Sequence, residues 1–247
     1  MTRTKPVLIL QLRPEDTTAD SEYACILKYG HLNTEDTRRI RIEENGIPND
    51  INLSDYSTII VGGSPFDIST PEHMKTAIQN KIENDFNHLL EQVVVQDFPF
   101  LGACSGNGLL GKYLGTPITT KYREAVSCVT LDITEAGRKD KLLEGFPEKI
   151  DVLLGHKEAC DVTPEGATLL MTGSNCPVQM FRVGENVYAT QFHPEADAEE
   201  FALRIDTYAN HGYFEPHEAE VLKMATSRNT TPYAQEILRR FVDRYHN

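Results

Sequence analysis

Cys104 lies in Gly102-Ala103-Cys104-Ser105-Gly106, with an apolar run (residues 98–101) entering and an apolar helical pattern (Leu109, Leu110, Tyr113, Leu114) leaving. Gly-x-Cys-x-Gly between a strand and a helix follows the grammar of a nucleophile elbow, with a thiol where the hydroxyl usually stands. The glycines let the backbone turn without Cβ clashes. The turn leaves Cys104 at a helix N-terminus, where the dipole and unpaired N–H groups favour the thiolate. A small buried cysteine in a Gly-rich turn would look the same. A second stretch separates the two readings. Residues 187–192 read as a strand, followed by His193-Pro194-Glu195. Pro194 has no N–H to give the ladder, so His193 projects from a strand end into a loop, where catalytic groups tend to sit. Glu195, two residues on, points to the same side if the chain stays extended. A carboxylate can orient the imidazole and the imidazole can take the thiol proton, which is nucleophile, base and orienter.

These groups need a scaffold that brings strand ends together. Val7-Leu8-Ile9-Leu10 and Thr58-Ile59-Ile60-Val61 are continuous apolar runs, the signature of strands buried on both faces. Residues 11–21 are polar and read as a loop, residues 22–29 as a helix stopped by Gly30, and residues 37–42 as a further strand. The Thr58 run ends in Gly62-Gly63-Ser64-Pro65, where glycines let backbone N–H groups approach a ligand closely; a plain turn fits equally. Thr70 reads as a cap and Pro71 as the first residue of a helix. That helix carries the stripe Met74, Ile78, Ile82, Phe86, Leu89, Leu90 and Val93, with a break expected near Asn84. The resulting order, β-α-β-β-α-β-elbow-α, predicts a doubly wound, mostly parallel, flavodoxin-like α/β sheet. Gly63, Cys104 and His193 each follow a strand, so they can meet at one edge. From Glu124 onward short strands joined by turns predict an antiparallel extension, with Gly184-Glu185-Asn186 as a hairpin loop. After Glu195 the pattern turns helical (residues 198–208, 218–225 and 233–245). The expected organisation is a domain over 1–200 and a C-terminal helical appendage, 201–247, packed on it.

Gly102-Ala103-Cys104-Ser105-Gly106 together with Gln191-Phe192-His193-Pro194-Glu195 resembles the class I, triad-type glutamine amidotransferases, above all the glutaminase domain of GMP synthase and its stand-alone relatives. The resemblance spans roughly residues 6 to 200. It implies that Cys104, His193 and Glu195 release ammonia from glutamine through a γ-glutamyl thioester. It carries one oxyanion-hole N–H to Gly63, beside Gly62, and the second to Ser105. His156, in Gly155-His156-Lys157, aligns with a family segment near the glutamine pocket, though a lone histidine is ordinarily structural. Ser174-Asn175-Cys176-Pro177 resembles a family loop beside the site, with Cys176 read as a packing residue. Two positions depart from the pattern. Ser64 precedes Pro65 where the family has Gly-Gly-Pro, and Gly108 stands where the family has a glutamine that helps hold substrate.

Composition narrows the remaining classes. The 247 residues carry 37 acidic and 24 basic side chains, a net charge of −13, and no basic patch, so nucleic acid is not an expected partner. Five cysteines without CxxC spacing argue against a disulfide framework and a zinc site. No leader-like segment and no membrane-length apolar run is evident, which makes a cytoplasmic protein the default. No cofactor is expected, and no Gly-x-x-x-x-Gly-Lys-Ser/Thr loop for ATP occurs. An ammonia acceptor would therefore sit on a synthetase partner in trans. Three readings follow: a glutaminase, a γ-glutamyl peptide hydrolase with the same triad, and a non-catalytic binding or regulatory component of a synthetase.

Overall fold

The computed structural model describes residues 4–227 and 230–246; Met1, Thr2 and Arg3, part of the segment read as leader-free, lie outside that range. The strands are β1 (Val7–Gln11), β2 (Thr37–Arg41), β3 (Thr58–Val61), β4 (Phe100–Ala103), β5 (Ile118–Thr119), β6 (Glu124–Ile133), β7 (Lys149–His156), β8 (Ala159–Cys160), β9 (Thr168–Thr172), β10 (Met180–Val183) and β11 (Val187–Thr190). The helices are α1 (Asp16–Gly30), α2 (Ile42–Asn45), α3 (Ala77–Val95), α4 (Ser105–Tyr113), α5 (Ala198–Thr207), α6 (Ala219–Ser227) and α7 (Pro232–Tyr245).

Among the described residues the main sheet has the order β2-β1-β3-β4-β11-β10-β9-β6-β7. The first five strands are parallel to their neighbours, and the rest pair antiparallel. This is the expected α/β sheet with its antiparallel extension. The apolar run of β1 feeds both faces. Val7 and Ile9 pack in one core with Ile26 of α1 and Ile237 and Phe241 of α7. Leu8 and Leu10 pack in the other with Phe86 and Leu90 of α3 and Leu110 of α4. Period-two alternation thus buries a continuous hydrophobic strand between two helical layers.

Local chemistry corrects several boundaries. Residues 11–21 are not a loop: β1 runs through Gln11 and α1 begins at Asp16. The polar spacing hid that helix because Thr18, Ala19 and Glu22 are buried on it. Gly30 closes the helix, but the left-handed residue is His31, at φ 53°. The second long helix starts later than Thr70-Pro71. Residues 72–74 form only a 3-10 turn. Thr76 is the cap, its side chain accepting the Gln79 N–H. Met74 is accordingly 65% exposed and outside the core. The helix runs unbroken past Asn84. Finally, β11 ends at Thr190, three residues short of His193, so Pro194 does not terminate the ladder. The Gln191 N–H donates to Gln179 O and the His193 N–H to Leu153 O, at 2.8 and 3.0 Å, which carries the chain out over the sheet edge.

No helix among the described residues is long and apolar enough to cross a membrane.

Candidate active site

β3, β4 and β11 are neighbours in the sheet and parallel, so the segments after them emerge side by side at one edge. Gly63 follows β3, Cys104 follows β4 and His193 follows β11. The elbow is tied down by the Cys104 N–H, which donates to Thr190 O at 2.8 Å, and by the Gly108 N–H, which donates to Cys104 O at 3.1 Å. Cys104 adopts φ 51° and ψ −94°, a region that side chains with a Cβ rarely occupy and that costs on the order of 1–3 kcal/mol. Gly102 is needed for it, and Gly106 leaves little room. A Cβ on Gly102 would lie 2.7 Å from the Gly106 carbonyl carbon, and one on Gly106 would lie 3.3 Å from Val61 Cβ. The chain turns so tightly that strand and helix backbones touch.

Cys104 and His193 line one small cavity with Arg13, Phe201, Arg204 and Tyr213. His193 Nδ1 is 2.7 Å from Glu195 Oε1, and both residues are almost fully buried. The Gln191 amide approaches Cys104 Sγ at 3.9 Å. Behind them lies a network of buried charges. The Arg13 guanidinium donates to Glu22 Oε2 at 2.6 Å. Arg204 donates through Nη2 to Glu195 Oε1 at 2.9 Å and through Nε to Glu200 Oε1. Arg204 Nη1 also lies 2.7 Å from His193 Nδ1. Gly62 and Gly63 pack directly on this network. A Cβ on Gly62 would strike Glu22 Oε1 at 2.2 Å, and one on Gly63 would strike Arg13 Nη2 at 2.5 Å and His193 Cε1 at 2.8 Å. The Gly63 N–H is engaged, donating to Glu22 Oε2 at 3.3 Å.

Burial and these charges set the protonation of the resting site. Desolvation pushes the Cys104 thiol up to about 12, against the pull of the Arg13 and Arg204 cations. Burial, then the Arg204 charge, holds His193 down to about 4. Burial alone would raise Glu195; the His193 imidazole and then Arg204 instead hold it well below the ordinary carboxylate range. Both shifts favour the uncharged forms, a thiol and a neutral imidazole lining the same cavity.

On the other side of Cys104 a second cavity is lined by Ser105, Gly108, His156, Glu158, Gln191 and Tyr213, among others. His156 is buried, its Nδ1–H donating to Glu158 O and its Nε2 facing Glu124 Oε2, both at 3.0 Å. Above Gly108 sits Ile68, whose Cδ1 would lie 2.7 Å from a Cβ at that position. Ile68 is fixed there because Glu158 accepts the N–H groups of Ile68 and Ser69, each at 2.7 Å. Cys176 is buried, packing beside Glu124 and His156.

Of the residues singled out from sequence, Cys104 and His193 line the first cavity and Cys104, Ser105 and His156 the second, while Glu195, Gly62 and Gly63 pack behind them. Sequence reasoning missed Arg13, Glu22, Glu200, Arg204 and Tyr213. The available signal was Glu200 and Arg204 at i, i+4, just after the His-Pro-Glu stretch. Such pairs ordinarily mark a solvated helix face, whereas these two are 2% and 7% exposed.

Comparison with known proteins adds four findings. The glutamine amidotransferase class-I family model matches residues 26–209. A glutamine-hydrolyzing GMP synthase subunit of Sulfurisphaera tokodaii is 29% identical over 62% of this chain and 74% of its own. The same-named protein of Pyrococcus abyssi is 28% identical over 68% and 84%. In fold, the chain resembles a glutamine amidotransferase from Thermotoga maritima, with a TM-score of 0.71 and 19% identity over 98% of this chain and 100% of the other.

Proposed function

From the premise that this chain belongs to the class I glutamine amidotransferase family, we propose that it hydrolyses the side-chain amide of glutamine through a γ-glutamyl thioester on Cys104. The observation that carries the reading is the shared cavity of Cys104 and a His193 whose Nδ1 meets the Glu195 carboxylate at 2.7 Å. His193, oriented by Glu195, takes the thiol proton through Nε2, and the thiolate attacks the amide carbon. The oxyanion is met by the backbone N–H of Ser105, which opens α4 where no side chain caps the helix, and by that of Gly63 once it is released from Glu22. Each such donor is worth about 3 kcal/mol of transition-state stabilisation. The nitrogen leaves with the proton returned by His193, and a water deprotonated by the same imidazole cleaves the thioester to glutamate. Ammonia then passes to solvent, or to a synthetase partner in trans of the kind that the name of the archaeal relatives implies. The test is ammonia and glutamate release from glutamine beside Cys104→Ala, with trapping of a γ-glutamyl adduct by mass spectrometry. The adduct should form in wild type and be absent in the variant.

One observation favours a second substrate reading. The family glutamine that helps hold the substrate is Gly108 here, and Ile68 covers it. An apolar wall in place of an amide suits a γ-glutamyl compound whose leaving group is larger than ammonia. Rates with glutamine and with a γ-glutamyl dipeptide decide: a kcat/KM higher for the dipeptide by about tenfold or more makes the peptide the substrate.

A further inference from the structure

Arg204 makes an unusual demand on the base. Its Nη1 lies 2.7 Å from His193 Nδ1, and Glu195 Oε1 lies 2.7 Å from the same nitrogen. Nδ1 has one in-plane site. If it carries a proton it donates to Glu195, and the guanidinium N–H then faces an N–H. If it carries a lone pair it accepts from Arg204, and Glu195 Oε1 then faces a lone pair, satisfied only by Arg204 Nη2 at 2.9 Å. The two partners cannot both be served. The choice matters, because in neutral imidazole one nitrogen donates and the other accepts. With the proton on Nδ1, Nε2 is free to accept from a thiol. With the lone pair on Nδ1, Nε2 carries the proton and cannot.

Arg204 is held in place independently of His193. Its Nε donates to Glu200, its Nη2 lies 3.5 Å from Glu22 Oε2, and its guanidinium sits over the Phe201 ring, 5.3 Å from the centroid. The His193 ring packs edge-on against the same Phe201 at 5.5 Å. The charged groups facing His193 are then Glu195 on its own loop, Arg204 with Glu200 behind it on α5, and Arg13 after β1 with its partner Glu22 on α1. Cys104 after β4, Tyr208 and Tyr213 are the titratable groups that share the cavity.

We propose that Arg204 is a positioning residue that competes with Glu195 for His193 Nδ1, opposing the imidazolium and holding neutral His193 in the tautomer with its proton on Nε2 until substrate rearranges the site. The proposal rests on reading His193 as the base, yet it concerns a protonation state that can be measured without turnover. The experiment is a pH titration of 15N-histidine-labelled protein by NMR, with His193 assigned from His193→Gln, in wild type, Arg204→Lys and Arg204→Met. Wild-type His193 should show a lone-pair-type Nδ1 shift and stay neutral below pH 5. In Arg204→Met the proton should move to Nδ1 and the titration midpoint should rise by about one pH unit or more, as loss of a neighbouring cation dictates. Arg204→Lys should keep the low midpoint while losing the Nδ1 contact. A protonated-type Nδ1 in neutral wild-type His193 overturns the proposal even if no variant folds. So does an unchanged midpoint and tautomer in a folded Arg204→Met. The expected tautomer and shifts in a protein that hydrolyses no glutamine would count against the catalytic reading and leave the Arg204 proposal standing.

Discussion

At the scale of single residues, the site stores its chemistry in groups kept neutral by burial. The helix N-terminus and two arginines favour a Cys104 thiolate in the resting pocket, but desolvation wins. In the proposed reaction the proton moves to His193 as the substrate carbonyl is attacked, and Glu195, 2.7 Å from Nδ1, stabilises the imidazolium. Glu195→Gln should therefore lower kcat by about 10² to 10⁴-fold, as replacement of the third member does in comparable triads, with a smaller change in KM; steady-state assays check it. The low titration range of His193 also has a stability consequence. A histidine at about 4 in the fold and about 6.5 when unfolded binds more protons in the unfolded chain between those values. Its contribution is present above pH 6.5 and is lost as pH falls toward 4. Glu200 has the opposite sign. Burial raises it to about 7, so its contribution is present below the unfolded value, about 4.3, and is lost as pH rises through 7. Glu200→Gln should thus make stability climb more steeply from pH 5 to pH 8 than in wild type, read from urea midpoints at both pH values. An unchanged pH slope would show that Glu200 is ionised throughout.

At the scale of elements, the elbow and the loop after β3 do different work. The elbow is tight because Gly102 admits no side chain and Gly106 packs closely on Val61. The loop at residues 64–70 is held from outside, by Glu158 from the β7–β8 turn and by the Lys157–Asp67 ion pair at 2.7 Å. Glu158→Ala should free Ile68 from Gly108. We expect a loss of about 1.5–3 kcal/mol, the value of hydrogen bonds to a charged group, and a KM effect larger than the kcat effect. Thr76→Ala, remote from the pocket, should cost only about 1 kcal/mol as a lost N-cap and leave kinetics unchanged. The sequence carried much of this level. The elbow, the strand end after Val61 and the antiparallel extension were legible because glycine placement and apolar runs are local signals, whereas the end of β11 at Thr190 was read two residues late because Gln191-Phe192 continues the extended pattern. Helix starts were less so. Thr70-Pro71 has the better capping grammar, but the chain from Glu72 to Lys75 turns only once before Thr76 takes the role. The charge network was not legible, because Arg13, Glu22 and Arg204 meet only after β1, α1 and α5 have packed, and sequence alone reads each as a solvated charge.

At the scale of the whole molecule, α7 does more than lie against a finished domain. Ala234, Ile237, Leu238 and Phe241 are fully buried in the core that contains Val7, Ile9 and Leu101, so we propose that the C-terminal helix completes one of the two layers covering the parallel strands. Truncation after residue 230 should expose that face and give an insoluble or molten protein, whereas an exposed change on α6, Val221→Ser, should be silent; near-UV circular dichroism distinguishes them. The same packing links fold to chemistry, since α1 contacts both α5 and α7 and supplies Glu22 to the network behind His193. Under the proposed function this scaffold makes Cys104 a nucleophile toward a γ-glutamyl group. The most direct measurement is intact-protein mass spectrometry after rapid acid quench with glutamine and with a γ-glutamyl dipeptide. The expected result is a γ-glutamyl adduct on wild type, mapped to Cys104 and absent from Cys104→Ala. Glutamate release without any adduct at Cys104, or equal release by Cys104→Ala, would contradict it.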